Sequence, residues 1–280
     1  MSCKYALEIN RLKIVLESTE RPIVESLSFE VPAGKTVALV GESGSGKTMT
    51  SMAVMGLLPA GIRQVEGSIS IDGQNVSELS AEQYRQLRNT KVSIVMQNPM
   101  SAFDPVMNIY RHFVETLASH DLTNRKEIRA KATEALSEVG FSDPRTILEL
   151  YPFQMSGGML QRVMLAIALI SVPPIVIADE ATSDLDVLSQ ARILRILKDH
   201  CRKNRLALLL ITHDLSVAAG LADEMVLMKD GGLVEKSSVG EFFRNPQTPY
   251  AQRLLELHRG LYTPRYLKIM DNLVAGGGAQ

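Results

Sequence analysis

The segment Gly41-Glu-Ser-Gly-Ser-Gly-Lys-Thr48 constrains this chain more than any other, because it follows directly on the short apolar run Thr36–Val40. An apolar strand, a glycine-rich turn and a helix in that order make a phosphate-binding loop. Gly41, Gly44 and Gly46 free the backbone amides of the turn, which Glu42, Ser43 and Ser45 complete, to wrap phosphate. Lys47 is placed to reach the β and γ oxygens, and Thr48 to offer a hydroxyl to Mg2+. The helix that follows is expected to end near Leu58.

A second anion cradle lies in Tyr151-Pro-Phe-Gln-Met-Ser-Gly-Gly-Met-Leu-Gln-Arg162. Ser156, Gly157 and Gly158 open a long apolar helix, where free N–H groups and the helix dipole favour negative charge. Two phosphate cradles on one chain suggest that two domains share each nucleotide.

Three further residue sets are expected at strand ends, where α/β sheets bind ligands. Ile175-Val-Ile-Ala-Asp179-Glu180 puts two carboxylates just past a buried strand. Asp179 suits the Mg2+ shell, and Glu180 suits the polarisation of an attacking water. His213 follows the apolar strand Leu206–Ile211 and is placed to contact a γ-phosphate, while Gln97 ends the strand Val92–Met96 and is placed to sense metal or water.

The remaining pattern is consistent with an α/β layout. Residues 7–16 and 23–31 alternate as half-buried antiparallel strands, Gly67–Gly73 reads as a strand and turn, and Asp230-Gly231-Gly232 as a hairpin. Between Gln97 and Ile175 the periodicity is mostly helical, and a further helix is expected over Val187–Lys203. Residues from about Gly240 read as helices, with a frayed end at 275–280. Alternating strands and helices imply a mostly parallel sheet covered on both faces. The 30 basic and 31 acidic residues leave no basic footprint for nucleic acid. Cys3 and Cys201 are too few for a disulfide framework, which fits a reducing compartment, and the N-terminal sequence has no signal-peptide core. The uncharged run Val163–Ala178 is shorter than the ~20 residues of a membrane span and is split by Pro173-Pro174.

The ordered set GESGSGKT, Gln97, MSGGM, IVIADE, SDLD and His213 resembles the nucleotide-binding subunits of ATP-binding cassette (ABC) transporters over roughly residues 5–240. The resemblance implies an α/β P-loop NTPase with a RecA-like, mostly parallel core, an antiparallel β subdomain and an inserted helical signature subdomain over about 98–172. It implies a nucleotide-binding domain over 1–240 and a C-terminal helical extension with a flexible tail over 241–280. It also makes Gln97 the Q-loop residue, Ser156-Gly157-Gly158 the signature, Asp184-Leu185-Asp186 the D-loop with Asp186 at the nucleotide, and His213 the switch histidine. The cofactors it implies are ATP and Mg2+. The partners are two integral-membrane permease subunits, a second ATPase subunit that is a paralogue or a second copy, and indirectly an extracytoplasmic solute-binding protein, with no nucleic acid.

Val95–Pro105, Leu150–Arg162 and Asn245-Pro-Gln-Thr-Pro-Tyr250 resemble the peptide and nickel importers within that family, with the nickel branch the nearer. That places the chain peripherally at the cytoplasmic face of the inner membrane, as an ATPase driving uptake of nickel or a metal chelate; a di- or oligopeptide importer is the alternative. A soluble twin-cassette ATPase and a P-loop kinase fit less well, the first for its basic surfaces and paired cassettes, the second because it has no use for Ser156-Gly157-Gly158. The chain departs from the family pattern at Met155 and Met159, which flank the signature, and at Ala181, where proline is usual. Residues 10–20 lack the aromatic that usually stacks on adenine, leaving Leu16 as a candidate aliphatic contact. The absence of cysteine after Cys201 argues against an iron–sulfur cluster in the extension.

Overall fold

The computed structural model describes residues 4–182 and 186–261. Asp184, Leu185, Cys3 and the tail beyond 261 lie outside them. Strands β1 (Tyr5–Leu16) and β2 (Arg21–Pro32) pair antiparallel, and β3 (Thr36–Gly41) leads into α1 (Lys47–Met55). Then come β4 (Ile62–Ile71), β5 (Gln74–Asn75), α2 (Ala81–Thr90) and β6 (Val92–Val95). A helical block follows: α3 (Ile109–Ala118), α4 (Arg125–Glu138), α5 (Pro144–Glu149) and α6 (Gly157–Ile170). The chain continues through β7 (Ile175–Asp179), α7 (Val187–Asn204), β8 (Ala207–Thr212), α8 (Leu215–Leu221), β9 (Glu224–Lys229) and β10 (Gly232–Ser238). It closes with α9 (Val239–Arg244) and α10 (Pro249–Leu261).

Among the described residues the strands form two sheets. One is antiparallel, ordered β2-β1-β4-β5. The other is ordered β10-β9-β3-β8-β7-β6, parallel throughout except for the β9–β10 hairpin. Every residue of β7 and of β8 is buried, as the unbroken apolar runs require of strands covered on both faces. Their two-residue side-chain period divides the interior. Val176, Ala178, Leu208 and Leu210 face a core shared with the helical block. Ile175, Ile177, Leu209 and Ile211 face a second core, closed by α1 and the antiparallel sheet.

Several boundaries differ from the sequence expectation for local reasons. Helix α1 stops at Met55 because Gly56 takes a left-handed C-cap at φ 63°. Strand β4 begins at Ile62 and runs through Gly67, whose φ of 82° accommodates a bulge against β1. Helix α2 was not anticipated, although Ser80 and Gln83 form the reciprocal capping box that marks its start.

Candidate functional site

Parallel pairing brings the expected residues to one edge of the sheet. Val95 pairs with Ala178, Asp179 with Ile211, and Val40 with Thr212, so Gly41, Glu180, His213 and Gln97 all emerge at the carboxyl ends of adjacent strands. The phosphate loop is locked there by close backbone approach. A Cβ at Gly41 would collide with the Met228 carbonyl and the Ser45 hydroxyl, and one at Gly46, where φ is 101°, would lie 2.8 Å from the Ile23 carbonyl. Ile23 was not singled out in the sequence, yet β2 carries it against the loop. Glu42, Ser43 and Gly44 are exposed, and a Cβ at Gly44 would meet open space.

The Lys47 ammonium is buried and donates to the carbonyls of Gly41 and Glu42, each at 2.8 Å. Burial pulls its proton affinity down, while the charges of Glu180, Asp179 and Glu42 oppose that shift. Asp179 is also buried and accepts from the Ser51 hydroxyl at 2.8 Å. Burial, with Glu180 adding to it, pushes the Asp179 carboxyl above the usual range; Ser51, Lys47 and Thr48 work the other way. A carboxylate among the hydroxyls of Ser51 and Thr48 is a hard oxygen set that suits Mg2+. Ser51 escaped notice in the sequence because it follows the recognisable motif by one helical turn.

Glu180 takes φ 47°, a left-handed conformation that costs a side-chain-bearing residue roughly 1–3 kcal/mol. Its N–H donates to the Ile211 carbonyl at 2.9 Å, fixing the turn to β8. Its carboxylate Oε1 lies 3.1 Å from Nδ1 of the exposed His213 imidazole. Asp179 and Glu180 therefore divide into a buried carboxylate facing α1 and a more exposed one facing His213.

A separate cavity of about 360 Å3 is lined by Gln97, Ser156, Gly157, Gly158, Gln161 and Asp186, among others, with no residue of the phosphate loop. Ser156 caps α6 by accepting from the Met159 N–H at 3.3 Å, and a Cβ at Gly157 would meet open space. Asp186 caps α7, accepting from Leu188 and Ser189 at 3.1 Å each. Hydrogen bonds from the Ser189 side chain and backbone hold the Asp186 carboxyl below its usual range. Leu16 sits half-buried at the end of β1, paired with Arg21 and Ile62.

Gln161 is the residue that motif reading missed. It is buried, and its Nε2 donates to the Met96 carbonyl at 3.2 Å and the Ala181 carbonyl at 2.5 Å. Those carbonyls adjoin Gln97 and Glu180, so one amide ties the helix opened by Ser156 to both strand ends. Its only sequence signal was a polar residue inside the apolar stretch of α6.

A phosphate loop, a carboxylate pair and a histidine on the carboxyl edge of a parallel sheet define a P-loop nucleotide hydrolase. The ABC transporter family matches residues 24–183, and the chain belongs to that family as an ATP-binding, ATP-hydrolysing subunit. The oligopeptide transport ATP-binding protein AppD of Bacillus subtilis is 42% identical, covering 89% of this chain and 77% of its own. The nickel import ATP-binding proteins NikD of Rhodospirillum rubrum and Pseudomonas putida are 41% and 39% identical, covering 86% and 91% of this chain and 89% and 96% of theirs. Among solved structures, the dimeric ATP-binding cassette MJ0796 bound to ADP and phosphate superposes with a TM-score of 0.73 at 24% identity, covering 83% of this chain and 98% of its own. The cbiO1 protein of Clostridium perfringens gives 0.75 at 21%, covering 96% and 100%, and shares the fold. No helix among the described residues is long and apolar enough to cross a membrane.

Proposed function

We propose that this chain hydrolyses ATP to drive an importer for nickel or a nickel chelate, held peripherally at the cytoplasmic face of the inner membrane by two permease subunits. A second ATPase subunit, a paralogue, closes against it, so that Ser156, Gly157 and Gly158 of this chain cover the nucleotide held by the other. An extracytoplasmic solute-binding protein delivers cargo to the permease. The nucleotide-binding domain covers residues 1–240, with the helical insertion at 98–172, and the segment from 241 is an extension.

The observation that carries the catalytic reading is the 3.1 Å approach of Glu180 and His213 beside the Lys47 cradle. Lys47 and the loop amides orient the terminal phosphates, Glu180 accepts the proton of the attacking water, and His213 holds that carboxylate in place. When bound, Mg2+ neutralises phosphate oxygens, and Thr48, Asp179 and Gln97 are the residues to hold it. Closing and reopening the paired subunits transmits the chemistry to the permease.

The nickel reading is supported by the Met155–Met159 signature and by relatives named nickel import ATP-binding proteins. A peptide cargo is the second reading, favoured by AppD and by the oligopeptide transport ATP-binding protein OppD of Lactococcus lactis at 40% identity. Uptake of radiolabelled nickel, free and chelated, is compared with dipeptide uptake in cells lacking the chain. Loss of nickel uptake with intact dipeptide uptake is expected. The converse result selects the peptide importer.

A further inference from the structure

The segment after α9 lies beyond every catalytic motif, yet it is fixed to the nucleotide edge at two ends. At one end the buried Glu235 carboxylate of β10 accepts from the backbone N–H of Gln247 at 3.1 Å and Thr248 at 3.0 Å, and from the Thr248 hydroxyl at 3.0 Å. Thr248 in turn accepts from the Ala251 N–H at 3.2 Å, so α10 starts from a pinned cap. Lys229, at the end of β9, lies over the Tyr250 ring at 4.7 Å. From there Ala251, Leu255 and His258 recur at helical spacing on one buried face. Ala251 and Leu255 join the core that holds Leu215, Val217 and Ala218 of α8.

At the other end His258 meets Ser216. Both are buried, and His258 Nε2 lies 3.1 Å from Ser216 Oγ. The Ser216 N–H donates to the Asp214 carboxylate at 2.7 Å, and the Asp214 N–H donates to the Thr212 hydroxyl at 3.0 Å. His213 is the residue enclosed by that chain of contacts, and its imidazole faces Glu180. A buried imidazole at the end of an anchored helix, set against the first turn of α8, has no part in binding phosphate.

We propose that α10 is a brace for the switch loop, in which His258, through Ser216, is a positioning residue that fixes the His213 imidazole against Glu180. This rests on the catalytic reading of Glu180 and His213 and is independent of the cargo. A hydrogen bond of ordinary strength, felt only in the transition state, corresponds to roughly two- to tenfold in kcat.

The test is ATPase activity of the full chain assembled with its permease and partner ATPase. His258→Leu and Ser216→Ala should each lower kcat about three- to tenfold, leave KM for ATP within about twofold, and combine without further loss. His258→Gln, which keeps a polar group of similar reach, should restore most of the rate. Ser216→Ala removes only a hydroxyl, so it reports even if His258→Leu assembles poorly. Unchanged kcat in Ser216→Ala and in a normally assembled His258→Leu would overturn the brace. So would equal losses of kcat and ATP affinity that His258→Gln does not restore, since those mark packing alone. Glu180→Gln serves as the reference in the same complex. If it turns over normally, the catalytic reading fails; if it is inactive while the His258 series is silent, only the brace fails.

Discussion

The Gln161 amide donates to the Ala181 carbonyl at 2.5 Å, joining the helix that Ser156 opens to the peptide that follows Glu180. The same nitrogen reaches the Met96 carbonyl at 3.2 Å, next to Gln97. Any rotation of α6 that carries the Ser156 turn therefore pulls on the two strand ends that hold Gln97 and Glu180. Replacing Gln161 by Leu leaves both carbonyls without this donor. The expected result is a loss of about 1–3 kcal/mol in stability, read by chemical denaturation, with a larger proportional loss of ATPase rate in the assembled complex.

Glu180→Gln keeps the shape of the side chain and removes its basicity. ATP binding should persist while turnover falls on the order of 10^2- to 10^4-fold, the usual contribution of a general base. Equilibrium nucleotide binding and phosphate release, measured on the same preparation, separate the two effects.

Lys47 contributes a charged donor that no other residue of the loop replaces. Lys47→Ala should weaken ATP binding by about ten- to a hundredfold, the scale of a charged hydrogen bond of roughly 1.5–3 kcal/mol. Titration calorimetry with ATP checks this directly.

Gly46 tests the backbone itself. Its φ is 101° and a Cβ there would stand 2.8 Å from the Ile23 carbonyl, so Gly46→Ala has no room unless β2 or the loop moves. A stability loss of about 1–3 kcal/mol is expected, together with loss of ATP binding. Thermal unfolding with and without ATP shows both, since the stabilisation by nucleotide should shrink.

Acid sensitivity follows from three histidines. Burial holds His112, His200 and His258 below their ordinary value of 6.5. The unfolded chain takes up these protons first, so their stabilising contribution is full above pH 6.5 and is lost as pH falls through their depressed folded values. Asp179 has the opposite sign: its raised carboxyl favours the folded state as pH falls through its own raised value from above. Unfolding midpoints measured from about pH 8 downward should decline below about 6.5, and His258→Gln should flatten that decline.

Much of the fold was legible because its signals are local. The loop Gly41–Thr48 announces itself through closely spaced glycines after an apolar strand, and the Ser156 turn through small residues opening an apolar helix. The continuous runs in β7 and β8 require burial on both faces, which already implies a parallel core. Helix α2 and the early start of β4 were less visible, since a polar capping box and a strand that passes through glycine weaken periodicity.

The sequence by itself determined a glycine-rich loop after an apolar strand, a Ser-Gly-Gly helix start, two adjacent carboxylates and a histidine, each at an expected strand or helix end. Only the tertiary structure decided which of them meet. Ser51 and Asp179 lie 128 positions apart, Gln161 and Met96 65, His258 and Ser216 42, and Glu180 and His213 33. Periodicity reports which face of an element is buried, but the partner across that face is selected by sheet order and packing. It is the parallel register of β3, β8, β7 and β6 that brings these scattered residues to one edge of the sheet.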